Sequence, residues 1–252
     1  MLEPNAGKKL EAVVDGVTYL RLPIKTRLIE TGDNLLDLLK EYVAPHIQAD
    51  DMLFVSEKVV CITQNRMILT KDVVTSPLAR FLSGKVRNYA GTPQFRGLGH
   101  GTAPAMQLLI EEAGYIRTLF AALVSAITRP LGIKGAFYYL VGKLAKSIDC
   151  PMSWTLEPYT KYAKLAPLKP NEVARAVRDK FDVETVIVDA NYRGAFSLGK
   201  SSSAISEKFI RELLHDNPAG QDSEMTPFFL IRQAYPARRG LATYSKASPC
   251  WN

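Results

Sequence analysis

The alternation of apolar and polar positions predicts short strands and helices in irregular succession. Apolar and β-branched runs at 17–22, 51–55, 183–189 and 226–233 predict strands. Helical spacing predicts a helix over Leu35, Leu36, Leu38, Leu39 and Val43, capped by Thr31 or Asp33. It predicts others over 71–90, over 105–127 with a break near Gly114, over 171–181 with a stripe at Val173, Ala174, Val177 and Phe181, and over 204–215. Residues 58–63 form a second β-branched patch, 66–69 is a candidate to pair nearby, and 135–141 is strand-like. The glycine-rich stretch 97–102 reads as a loop, and 149–170 as an irregular segment marked by prolines. Such interleaving fits an α+β fold, with mixed sheets and flanking helices, better than a doubly wound parallel sheet. The expected organisation is one large domain over 1–252, with an expanded helical insertion at 96–147 and a loose tail at 235–252.

Composition narrows the function classes without choosing one. At 252 residues, 47% apolar and 23% charged, the chain can bury a large core and has the balance of a globular protein. The net charge of +7 favours anionic ligands. However, the cations are scattered, with no basic run or basic–aromatic alternation, so no nucleic-acid partner is expected. Cys61, Cys150 and Cys250 are far apart and lack metal-finger spacing, which fits a reducing compartment. The apolar stretch 118–128 is too short to span a bilayer, so a cytoplasmic protein without stable membrane insertion is expected. A surface-lying amphipathic segment around 105–141 is the lesser alternative.

Asp189 carries the strongest chemical signal. It ends the apolar run Glu184-Thr-Val-Ile-Val-Asp189, so a buried strand would deliver a carboxylate to a sheet edge. Asn191, Arg193, glycines, Lys200 and hydroxyls follow within about a dozen residues, a set suited to a metal and a phosphate. Gly194 to Ser201 also spells the phosphate-loop string, which leaves a nucleotide hydrolase as one reading. A phosphate loop should start where the strand ends, and here Asn191-Tyr192-Arg193 intervene. His100 reads as a plain loop histidine, and Cys150, without a basic partner, as inert.

Five segments, taken in order, resemble the γ-glutamyl ligase family of the deazaflavin coenzyme. These are Thr26-Arg27-Leu28-Ile29 with Gly32-Asp33-Asn34-Leu35; Asp51-Met-Leu-Phe-Val55-Ser-Glu-Lys58, closing at Asn65-Arg66; Ile148-Asp149; Asp189-Ala190-Asn191-Tyr192-Arg193; and Thr226-Pro227-Phe-Phe-Leu-Ile-Arg232. The resemblance implies a GTP- and divalent-metal-dependent ligase that adds glutamate, or another amino acid, to an acidic acceptor through an acyl phosphate. It implies Asp149 and Asp189 as ligands of Mg²⁺ or Mn²⁺. Thr26, Arg27, Leu28, Ile29, Lys58, Asn191 and Lys200 would hold nucleotide, and Lys58 and Arg193 would be catalytic. It also implies a homodimer acting on a nucleotide and a small acidic substrate.

The chain departs from the family text in several places. Ile62 stands where the family has a lysine, Ala190 where it has a threonine, and Cys150-Pro151-Met152 follow Asp149 without the expected asparagine. These departures mark a divergent member and leave the purine and the acceptor open. They also keep a non-catalytic nucleotide- or anion-binding protein of the same fold as an alternative.

Overall fold

The computed structural model describes residues 2–86, 99–191, 194–220 and 223–234. The expected tail at 235–252 lies outside them, as do Tyr192 and Arg193. Strands β1 (Glu11–Val14) and β2 (Val17–Ile24) form a hairpin whose turn, Asp15-Gly16, takes positive φ at both positions. An Asp-Gly pair favours that two-residue turn, because it matches the twist of the strands.

A short helix α1 (Leu35–Leu38) follows. Its cap is Asn34, which accepts from the amides of Leu36 and Asp37, rather than Thr31 or Asp33. Next come β3 (Met52–Ser56) and α2 (Glu57–Thr63), entered directly from the strand. The β-branched patch at 58–63 is therefore helix. Val59, Val60, Cys61 and Ile62 are all buried, so burial on several sides outweighs the strand preference of β-branched residues.

The next elements are β4 (Met67–Leu69), α3 (Pro77–Ser83), α4 (Ala103–Ala113), α5 (Tyr115–Thr128), α6 (Ala136–Val141) and α7 (Lys143–Lys146). The helix expected over 71–90 contracts to α3. The break near Gly114 is present, with that glycine at φ 84° between α4 and α5. Residues 135–141 are a helix rather than a strand. Gly135 and Gly142, both at positive φ, bracket α6, which packs on α5. The proline-marked stretch after it contains β5 (Tyr162–Lys164), the antiparallel partner of β4.

The chain then returns through α8 (Pro170–Phe181), β6 (Glu184–Asn191), β7 (Gly194–Lys200), α9 (Glu207–Leu213) and β8 (Phe228–Gln233). The main sheet has six strands in the order β1-β2-β8-β3-β6-β7, and only β3 and β6 run parallel. One face buries Leu53, Val55, Ile187 and Leu230 against α1, α2 and α8. The other buries Phe54, Val186, Val188 and Ile231 against Ile210 and Leu213 of α9. A helical lobe with its own core (Met106, Leu109, Ile110, Ala121, Val141 and Ile148) sits beside them. The α+β architecture with a mixed sheet is thus as expected.

β7 overturns the phosphate-loop reading of that string. Gly194 to Lys200 pair antiparallel with β6, Ala195 opposite Ala190 and Lys200 opposite Val186, with a register shift at Leu198. The segment is a strand and not a phosphate loop opening a helix.

Candidate active site

Topology brings the chemistry to one sheet edge. β3 and β6 run parallel with Ser56 opposite Val188, so Glu57 and Lys58 emerge beside Asp189. The C-terminal end of β2 reaches the same edge: Ile24 pairs with Phe228, and the Thr26 amide donates to the Met225 carbonyl. Ligands of open sheets characteristically lie outside the carboxyl ends of parallel strands.

Asp149 arrives from the far side of the chain. Its amide donates to the Lys164 carbonyl at 3.3 Å, and the Lys164 amide donates back at 2.8 Å. This small antiparallel bridge fixes both side chains relative to β5. The Lys58 and Lys164 ammonium groups each stand 4.0 Å from Asp149 Oδ2. Lys164 is fully buried. It donates to Glu57 Oε2 at 2.5 Å and also to the Ser147 carbonyl.

The charges of this group act on one another. Burial alone would strip the Lys164 proton, but Glu57 and Asp149 hold it and raise the group above its ordinary value. Burial pushes Glu57 up to about 7 against the pull of Lys164, with Asp189 and Asp149 pushing further. Asp189 is raised by burial and then by the Asp149 charge, while Lys164, Lys58 and Lys146 oppose the shift. The charges of the two acids, forty residues apart in the chain, therefore act on each other. His100, on the turn entering α4, is lowered by burial to about 4, which keeps its ring neutral near pH 7.

The expected site residues divide sharply. Asp149, Asp189 and Lys58 come together, and Asn191 Nδ2 donates to Asp189 Oδ1 at 3.4 Å. Thr26 lies at the same edge, buried, with its hydroxyl donating to the Arg27 carbonyl. Arg27 grips Asp33 through two bonds of 2.8 and 2.6 Å, and Ile29 belongs to the main core, with Leu28 packed against it. Arg193 lies outside the described residues. Lys200 does not join the site. It sits opposite Val186, away from Asp189, and its ammonium donates to the Ile205 carbonyl at 2.5 Å.

Sequence reasoning missed Glu57, Lys164 and Lys146. Glu57 was visible as the neighbour of Lys58, but only the return of β5 shows that it faces a lysine 107 positions later. Lys164 lay in text read as irregular, where the short run Tyr162-Ala-Lys164 was the sole signal of a strand.

Two carboxylates flanked by three lysines suit a small hard cation that keeps water and substrate phosphate as its other ligands. Mg²⁺ is usually held by one or two protein carboxylates in this manner. Among the described residues, no group of three or more His, Cys, Asp and Glu side chains is placed to hold a metal ion.

Residues 23–133 match the family model for F420-0:gamma-glutamyl ligase. Over that segment the chain is similar to this family. The matched part runs from the end of β2 through α5 and includes Thr26, Glu57, Lys58 and His100. A γ-glutamyl-ligase type of function follows in general terms. Asp149, Asp189 and Lys164 lie beyond the matched part, so their assignment rests on the geometry above. No curated protein gives a significant match to the chain. Among the described residues, no helix is long and apolar enough to cross a membrane.

Proposed function

We propose that the protein is a nucleotide- and divalent-metal-dependent ligase that joins glutamate, or another amino acid, to a small acidic acceptor through an acyl phosphate. The observation that carries the reading is the meeting of Asp149, Asp189, Lys58 and Lys164 at the carboxyl ends of β3 and β6.

Asp149 and Asp189 would hold Mg²⁺ or Mn²⁺, and the bound ion would neutralise charge on the nucleotide phosphates. Lys58, half exposed beside Asp149, is free to lean toward a transferred phosphoryl group, whose developing negative charge it would offset. Lys164 keeps its proton and is locked between Glu57 and Ser147. Its task is to hold the site electrically balanced and Asp149 in place, not to move a proton. Thr26 and the chain after it border the edge where a nucleotide would lie. Asn191 steadies the Asp189 carboxylate.

Calorimetric titration of GTP and of ATP, with and without Mg²⁺ or Mn²⁺, tests this reading. Metal-dependent binding that disappears in Asp149→Asn and Asp189→Asn supports it. Metal-independent binding that survives both substitutions would instead make the protein a non-catalytic nucleotide- or anion-binding member of the fold.

A further inference from the structure

Helix α5 is inside out. Its inward side is small and polar: Thr118 and Ala121 are fully buried, and the Thr118 hydroxyl is satisfied by the Gly114 carbonyl at 2.9 Å. Its outward side is large and apolar, with Ile116 86%, Leu119 50%, Phe120 56%, Leu123 61% and Ile127 59% exposed. At 3.6 residues per turn these five side chains fall within an arc of about 100°, the width of an ordinary core-facing stripe. Leu131, Ile133, Tyr115 and Tyr139 extend the exposed apolar surface around it. A contiguous patch of this kind marks an interaction surface.

Charge selects the partner. From residue 113 to residue 148 the chain has no Asp or Glu, but it carries Arg117, Arg129 and Lys134 around α5, while Lys143 pairs with Glu207 and Lys146 lies over the Phe196 ring. Arg117 and Arg129 spend their hydrogen bonds on the backbone carbonyls of Leu140 and Lys85, which leaves their charge unopposed by a bonded carboxylate. A two-fold contact through α5 would lay Arg117, Arg129 and Lys134 against their own copies, cation against cation. Residues 87–98 and 235–252 also contain no Asp or Glu, so covering the patch with either would add like charge.

We propose that α5 and the turn after it dock the protein onto an anionic lipid surface. The stripe would sink into the acyl boundary, Arg117, Arg129 and Lys134 would meet the headgroups, and the tyrosines would sit at the interface. The helix has 14 residues and is about 21 Å long, against roughly 30 Å of bilayer hydrocarbon, so it lies on the membrane and does not cross it. The ligase site is not needed for this docking.

Flotation of the full chain with phosphatidylcholine vesicles, with and without phosphatidylglycerol, tests the proposal. Flotation is expected only with the anionic vesicles, weakened by salt, and cut about tenfold or more by Leu123→Asp and by Phe120→Asp. Both positions are exposed. A circular-dichroism melt checks that each variant folds, and Ile116→Asp serves as a third variant if either does not. Three results would overturn the proposal. One is no flotation at all, and another is equal flotation of wild type and variants. The third is a wild-type dimer in light scattering that Leu123→Asp dissociates while neither protein binds vesicles; that result would make the face a contact between copies.

Discussion

Lys164 and Glu57, 107 residues apart in the chain, meet at 2.5 Å with both side chains withdrawn from solvent. This pair ties β5 to the start of α2 and so fixes the distance between the lobe that carries Asp149 and the sheet that carries Asp189. A buried pair of this kind is costly to break from one side, because the remaining charge has no partner. Lys164→Met should destabilise the protein by about 3–5 kcal/mol. The double variant Lys164→Met/Glu57→Gln should lose less than the sum of the single losses. Denaturant unfolding of the three variants gives the coupling, and strict additivity would mean that the contact contributes nothing specific.

Lys200 and Asp189 occupy adjacent strands but different roles. Lys200 is engaged with the Ile205 carbonyl at the far end of the β6–β7 hairpin, whereas Asp189 feels the charge of Asp149. Lys200→Ala should leave metal-dependent nucleotide affinity within about 0.5 kcal/mol of wild type, the range of ordinary surface changes. Asp189→Ala should abolish it. Titration calorimetry of both variants decides, and the reverse order would show that the phosphate-loop string matters after all.

Arg21 and Asp216 predict the acid limb of stability. Burial pushes the Asp216 carboxyl up, but the hydrogen bonds and charge of the fully buried Arg21 prevail and hold it below its ordinary value. A carboxyl depressed in the folded state contributes stability above its unfolded value of about 3.9 and loses it as pH falls through the lower folded value. Stability should therefore drop as pH falls below about 4. Asp216→Asn should cost about 2 kcal/mol at pH 7 and flatten that drop. Urea unfolding across a pH series reads both, and an unchanged slope would remove Asp216 from the account.

Gly199 is a packing glycine. A Cβ there would overlap the backbone of Pro170 and Asn171, where α8 begins against β7. Asn171 also pins the strand by accepting from the Lys200 amide at 2.9 Å. Gly199→Ala should cost about 1–3 kcal/mol, seen as a lowered melting temperature, without changing nucleotide affinity in the protein that remains folded. An unchanged melting temperature would mean that the helix shifts freely.

Local text determined much of this protein. The apolar runs at 51–55, 183–189 and 226–233 became β3, β6 and β8 within a residue or two, since a run buried on both faces has few other places to go. The stripe at 171–181 became α8, whereas β6 runs on to Asn191, so Asp189 lies two residues inside the strand, opposite Phe196. The same local reading failed wherever burial had the last word. The β-branched 58–63 is a helix because its neighbours enclose it on sides that a strand would leave bare, and the aromatic 135–141 is a helix that buries Val141 between two glycines at positive φ. Gly194–Lys200 reads as a phosphate loop only until β6 offers it a hydrogen-bonding edge. The partners of the site were beyond any local pattern. The charge of Asp149 reaches Asp189, Lys164 neutralises Glu57, and α5 turns its apolar side outward only because the chain closes through contacts between residues far apart in sequence. Those contacts carry the energy that decides which charges are buried together and which surface is left to the solvent.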